Sequence, residues 1–323
     1  MRRLAMLLFA LSVSFSHADG PADNIPDKVR QVPPPGIKVA DADRAELTEG
    51  LKKLQYAIAV LQDKKKPEEL SYLPDVQVYE KAVRYALEHD EFFNIKEVAI
   101  ARNHLKTGLE RADAMLAGKH PWTTQTGQVV RAYRSRIDGS VQPYGLAIPK
   151  DYDFKKPIRL DFWCHGRGEN LSEVNFIQSC QGAPQFATDK AIVLSLYGRY
   201  CCANKLAGEV DCFEALEHAK KDYKIDENRL VMRGFSMGGA AAWHFAAHYP
   251  SMWCAAAPGA GFSETPDFLK VFQNEDVSKI PAWEKKLWRM YDCTDYALNF
   301  YNLPTVAYSG EIDKQKQAAD IMA

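Results

Sequence analysis

Ser236 is the side chain best placed by its neighbours to do covalent chemistry. It lies in Gly234-Phe235-Ser236-Met237-Gly238, a G-x-S-x-G pattern. Leu230-Val231-Met232 before it is apolar enough for a short buried strand, and Gly239 to His248 after it is a run of helix formers with small residues next to the turn. A serine at such a strand-to-helix corner is held out on a strained backbone, and the flanking glycines let other backbone segments pass close by. A serine hydroxyl is a weak nucleophile by itself. It needs a base to take its proton, an acid to orient the base, and donors already aimed at the developing oxyanion.

The Met237 amide, at the helix start, supplies the first oxyanion donor. Phe162-Trp163-Cys164-His165-Gly166-Arg167-Gly168-Glu169 reads as a strand and glycine-containing loop, and the second donor is the amide of Gly166 or Arg167. His165 precedes the nucleophile in the chain and reads as a loop-orienting residue. The acid should follow a late strand: Asp313, after Thr305 to Tyr308, is the first choice, Glu264 the second, and Glu311 a solvated carboxylate. The order Ser, acid, His requires a histidine after Asp313, and the last histidine is His248. Ala318 to Ala323 reads as a helix in progress, so the expectation is a chain truncated at its C-terminus, with a strand and histidine loop beyond. His218, His244 and His248 fall on predicted helices and read as packing or surface residues. Arg199 and Glu169, with Arg167 and Glu209, fall in loops at strand ends, where they either bind a polar part of a substrate or brace the loops as salt bridges.

The rest of the chain must position these groups. With 46% hydrophobic and 26% charged residues, 323 residues suffice for one large core plus an appendage. A net charge of −1 argues against nucleic acid or an anionic membrane as partner. Arg2, Arg3, the apolar stretch Leu4 to Val13 and Ser16-His17-Ala18 read as a signal peptide over 1–18, predicting a secreted or periplasmic protein. No later stretch approaches the roughly 20 apolar residues of a membrane span. A proline-rich linker follows, then three amphipathic helices carrying Leu47 to Leu61, Tyr79 to Leu87 and Val98 to Leu116, the whole region covering 19–124. These helices are expected to pack as a cap or strut, the alternative being a partner-binding module.

From 125 to 323 the pattern is α/β. Asp138-Gly139 joins two strand-like runs as a hairpin. Strands are expected at Ile158 to Cys164, Ala191 to Leu196, Leu230 to Arg233, Trp253 to Ala257 and Thr305 to Tyr308, with helices at Val210 to Tyr223 and Trp283 to Tyr291. The seven cysteines have no metal-ligand spacing, so neither zinc nor another metal is predicted. One disulfide is expected among Cys180, Cys201, Cys202 and Cys212, with Cys164 and Cys254 as small buried residues.

Tyr197-Gly198-Arg199, Ala207-Gly208-Glu209-Val210-Asp211, Asp226-Glu227-Asn228-Arg229 leading into Gly234 to Gly239, and Ala257 to Phe262 together resemble prolyl oligopeptidase-like α/β-hydrolases, which include secreted esterase-like members. The resemblance covers roughly Gln128 to Ala323. It implies an α/β-hydrolase fold, a mostly parallel central sheet with helices on both faces and an N-terminal antiparallel hairpin. It also implies Ser236 as nucleophile, Asp313 as acid, the His165-Gly166 segment as oxyanion loop, no cofactor, and a small-molecule ester or peptide as substrate. The chain departs from the family pattern in its missing histidine and in lacking a propeller domain. The reading from a different class is a non-catalytic binding or scaffold protein on the same fold.

Overall fold

A computed structural model describes residues 32–182, 188 and 190–323. The segment read as a signal peptide lies outside the described residues. Three long helices come first, α1 (Asp41–Lys64), α2 (Pro74–Glu88) and α3 (Lys96–Leu116), followed by strands β1 (Gly127–Arg134), β2 (Val141–Ile148) and β3 (Ile158–Cys164). Then come α4 (Glu173–Ser179), β4 (Ala191–Leu196), α5 (Ala207–Ala219), β5 (Ile225–Phe235), α6 (Met237–His248) and β6 (Ala255–Gly259).

The six strands form one sheet in the order β1-β2-β4-β3-β5-β6. β1 and β2 are the expected hairpin, antiparallel and in register from Gly127↔Ile148 to Arg134↔Val141, with Gly139 at φ +72° in the turn. β2 meets β4 antiparallel, and β4, β3, β5 and β6 run parallel to one another. Leu160, Phe162, Cys164, Ile192, Leu194 and Met232 are all buried, the near-continuous apolar filling of strands covered on both faces. This is the α/β-hydrolase fold, with the serine corner on β5, between β3 and β6.

Thr305 to Tyr308 differs in detail from the expected strand. It touches β6 at two isolated bridges, Ala256↔Thr305 and Gly259↔Tyr308, held by hydrogen bonds such as Val306 N–H to Ala256 O at 3.0 Å. Pro304 has no N–H to donate, and it joins this pairing only through its carbonyl, which accepts the Ala256 amide at 2.9 Å. The cysteines also differ from expectation: all seven are thiols, Cys180 and Cys212 buried with Cys164 and Cys293, and Cys201 and Cys202 half-buried in a loop. Cys254, read as buried, is exposed, because it precedes the first paired residue of β6.

The N-terminal helices bury Leu47, Leu54, Leu61, Val76, Tyr79, Val83, Ala101 and Ala112, and these side chains belong to the same apolar core as the sheet. α2 packs on β1 and β2, and both α2 and α3 pack on α4. A buried ionic cluster ties α2 to β1. Asp75 accepts hydrogen bonds from Arg131 Nε at 3.0 Å, Trp122 Nε1 at 2.8 Å and the Ala132 amide at 2.7 Å, while Arg131 Nη2 reaches Asp222 at 2.8 Å. Asp75 and Arg131 have no solvent exposure, so neither charge has water to fall back on.

Candidate active site

Ser236 occupies the corner between β5 and α6 with φ +56° and ψ −121°. A non-glycine residue there carries strain of about 1–3 kcal/mol and persists only where its surroundings over-determine it. Here they do. The Ser236 amide donates to Gly259 O on β6 at 2.8 Å, and Ser236 O accepts the Ala240 amide of α6 at 3.1 Å. Close backbone passage explains the glycines: a Cβ on Gly238 would lie 1.9 Å from Cys164 O, and one on Gly239 2.1 Å from Gly259 O. α6 is thus wedged directly against the ends of β3 and β6. Because the serine side chain makes no capping hydrogen bond, Ser236→Gly should be more stable than Ser236→Ala by about 1 kcal/mol in urea denaturation, glycine alone adopting this backbone without strain.

Met237 is the first residue of α6, so its amide has no partner within the helix and lies beside the serine. Gly166 packs against the nucleophile; a Cβ there would lie 3.5 Å from both Phe235 O and Ser236 Cβ. The 165–169 loop is tied to the loop after β4 at several points. His165 has both ring nitrogens at carbonyl oxygens, Nδ1 2.8 Å from Gly166 O and Nε2 2.9 Å from Tyr197 O. The Cys201 thiol donates to Gly168 O at 3.2 Å, and Tyr200 Oη donates to Glu169 O at 2.6 Å. These contacts hold the backbone that offers the Gly166 and Arg167 amides.

A cavity of about 340 Å³ opens on Ser236 and Met237. Arg167, Cys201, Cys202 and Lys205 line it together with Phe262, Phe268 and Phe272. Its lining also includes Gln315, whose amide donates to the Asp313 carboxylate at 2.9 Å. The structure therefore brings Ser236, Met237, Arg167 and Gly166 together and sets Asp313 two residues from the cavity wall. Glu311 is exposed.

Arg199 and Glu169 do not line this cavity. The Arg199 guanidinium is engaged by Asp211 at 2.9 and 3.1 Å, Asp138 at 2.7 Å and Ser135 Oγ at 2.9 Å, joining the β1–β2 turn to α5. Glu169 pairs with Arg167 at 2.8 Å. Both follow the salt-bridged alternative. The helix histidines are packing residues: His218, pushed down to about 4 by burial, bonds Tyr144 Oη at 2.8 Å, and His244, pushed down to about 3 by burial, lies 3.2 Å from Ala203 O. A larger cleft of about 540 Å³, lined by Tyr133, Arg136, Glu214 and His218 among others, holds none of the expected site residues.

Glu264, the second-choice acid, accepts the Asp267 amide at 2.7 Å as a helix cap. Burial pushes its carboxyl up to about 7, against the hydrogen bond from the Asp267 amide and with the nearby Asp267 and Asp292 charges adding to the rise. An acid whose folded pKa exceeds its unfolded one of 4.5 destabilises the fold progressively as pH rises from the lower value to the higher, and by a constant amount above that. Glu264→Gln, which keeps an acceptor, should therefore stabilise the protein by roughly 1–2 kcal/mol at pH 8 and by nothing at pH 4. Thermal melts at the two pH values check this.

The lining residues Cys201, Cys202, Lys205, Phe268, Phe272, Gln273 and Gln315 had no signal as site residues in the sequence, because three separate segments contribute them. Phe262 alone stood within a motif, the Ala257 to Phe262 turn.

Residues 203–322 match the prolyl oligopeptidase family. Among curated proteins, the chain is 32% identical over 108 residues to a probable feruloyl esterase C of Aspergillus niger and 30% identical over 108 residues to that of Aspergillus flavus, in each case 32% of this chain and 40% of the relative. The chain thus spans well under half of those relatives' length. Among solved structures, a ferulic acid esterase aligns with TM-score 0.42 and 16% identity over 61% of this chain and 86% of that one. An S-formylglutathione hydrolase from Staphylococcus aureus aligns with TM-score 0.39 and 15% identity over 62% of this chain and 100% of that one. The family match takes in the serine corner and supports a prolyl oligopeptidase-like α/β-hydrolase.

Proposed function

We propose that this protein is an exported serine hydrolase that cleaves small carboxylic esters through an acyl-enzyme. Ser236 Oγ attacks the ester carbonyl, the tetrahedral oxyanion is received by the Met237 amide and by that of Gly166 or Arg167, and the alcohol leaves with the proton taken from the serine. Water then attacks the acyl-enzyme and releases the acid. Asp313 orients the histidine base, which we place C-terminal to Ala323. In support, both nitrogens of His165 are already engaged, and His218 and His244 are held neutral in packing roles. Export rests on the charged and apolar pattern of residues 1–18.

The observation that carries the reading is the strained Ser236 facing a cavity with three phenylalanine walls. A cavity walled by three phenylalanines suits an ester with an aromatic or apolar body better than a peptide backbone, whose amides would lose hydrogen bonds to water. The curated relatives' description as probable feruloyl esterases points the same way. The test is a steady-state comparison of aryl-acyl methyl esters with peptide amides of similar size, using the full-length gene product. Ester turnover at least about 100-fold above that of the Ser236→Ala variant is expected. Preference for the peptides, or turnover unaffected by Ser236→Ala, would overturn it.

A further inference from the structure

The cavity holds a cation that the acyl-transfer chemistry does not use. Lys205 lies on its wall, with Nζ 5.3 Å from the centre of the Phe262 ring and 5.0 Å from that of Tyr291. No carboxylate of the described residues lies within 4.0 Å of that ammonium. Asp292 is near enough to favour the charged form, but its carboxylate is committed to Thr265, accepting the backbone amide at 2.8 Å and the hydroxyl at 2.7 Å. Burial pushes the Lys205 ammonium below its ordinary pKa, against the pull of Asp292. The two ring faces stabilise this half-buried ammonium by cation–π attraction, and with no carboxylate at ion-pair distance it is left to pair with an anionic ligand group.

The backbone that carries Lys205 is built with unusual strain. Arg199, Tyr200, Ala203, Asn204 and Leu206 all have positive φ, five non-glycine residues in one loop. Several contacts over-determine them: Arg199 is locked by Asp211 and Asp138, the Leu206 amide donates to Tyr291 Oη at 2.7 Å, and the Lys205 amide donates to Cys202 O at 3.1 Å. Strain of this kind clusters where a side chain must be held in one place. Here the loop sets Lys205 opposite Phe262 in the cavity that opens on Ser236.

We propose that Lys205 is a specificity-determining residue, selecting substrates whose cavity-seated part carries a carboxylate on an aromatic or apolar body. The phenylalanine walls take the body, and the ammonium pairs with the anionic group at the end away from the ester. The assignment of substrate class rests on the hydrolase reading of Ser236, but the anion site does not need turnover to be seen.

Binding of 3-phenylpropanoate and of 3-phenylpropanamide to the Ser236→Ala protein, followed by calorimetry, tests it without catalysis. The carboxylate should bind at least about tenfold more tightly than the amide. Lys205→Met and Lys205→Gln should each reduce that ratio to below about threefold, while Lys205→Arg keeps it. A ratio near one in Ser236→Ala, or a ratio that survives both neutral variants, overturns the proposal; a variant that also loses amide binding has lost the cavity itself, and the other neutral variant then decides. Labelling of the Ser236-containing protein by a fluorophosphonate runs beside this. Its failure sinks the hydrolase reading and leaves the calorimetry to decide the anion site.

Discussion

Asp75→Ala should lower the stability of the protein by about 3–5 kcal/mol, a large part of the roughly 5–15 kcal/mol that holds a typical domain. The carboxylate has no exposure and accepts from Arg131, Trp122 and the Ala132 amide. Removing it leaves Arg131 paired only through its other nitrogens, to Asp222 and Tyr223, and strands three buried N–H donors, Arg131 Nε, Trp122 Nε1 and the Ala132 amide. The loss falls on the junction of α2 with β1, so the N-terminal helices should loosen first and become accessible to protease. Adding Arg131→Met should recover part of the stability, because a buried pair removed together costs less than a buried charge left alone. Urea denaturation of the single and double variants measures both quantities. A single-variant loss below about 1 kcal/mol would show that the cluster is not needed to hold the two regions together.

Gly238→Ala is expected to be the most damaging one-carbon change near the nucleophile. The new methyl would meet Cys164 O at 1.9 Å, Cys164 C at 2.4 Å and His165 O at 2.8 Å, all backbone atoms that cannot rotate aside. α6 must back away from β3, which separates the Met237 amide from the Gly166–Arg167 loop and breaks the proposed oxyanion site as well as the packing. A destabilisation above about 3 kcal/mol and loss of reactivity at Ser236 should occur together. Gly166→Ala provides the contrast. Its methyl would sit at an ordinary 3.5 Å from Phe235 O and Ser236 Cβ, so the protein should fold within about 1 kcal/mol of wild type while crowding the face a substrate must approach.

The parts of this molecule that were legible in the sequence are those governed by local pattern. β3 and β4 occupy the expected residues, Ile158–Cys164 and Ala191–Leu196, because fully buried parallel strands read as unbroken apolar runs. The serine corner was legible because its constraints, a strand, glycines and a small-residue helix, are all contiguous. The aromatic cavity was not, since Lys205, Phe268 and Gln315 meet only through tertiary packing. Arg199 shows the opposite failure: a charge at a strand end looks available in sequence, but folding brings Asp138, some sixty positions away, and Asp211 onto its guanidinium. Arg131 gave no warning either, standing as a lone cation among Val129, Val130, Ala132 and Tyr133, with its partner Asp75 on a helix well upstream.

The proposed chemistry depends on Ser236 being an activated nucleophile. The most direct measurement is mass-spectrometric mapping of the adduct formed when the full-length protein reacts with a fluorophosphonate. A single phosphonyl group on the peptide containing Ser236, absent from Ser236→Ala, is the predicted result. A correctly folded protein that stays unmodified, or one labelled at another residue, would contradict it.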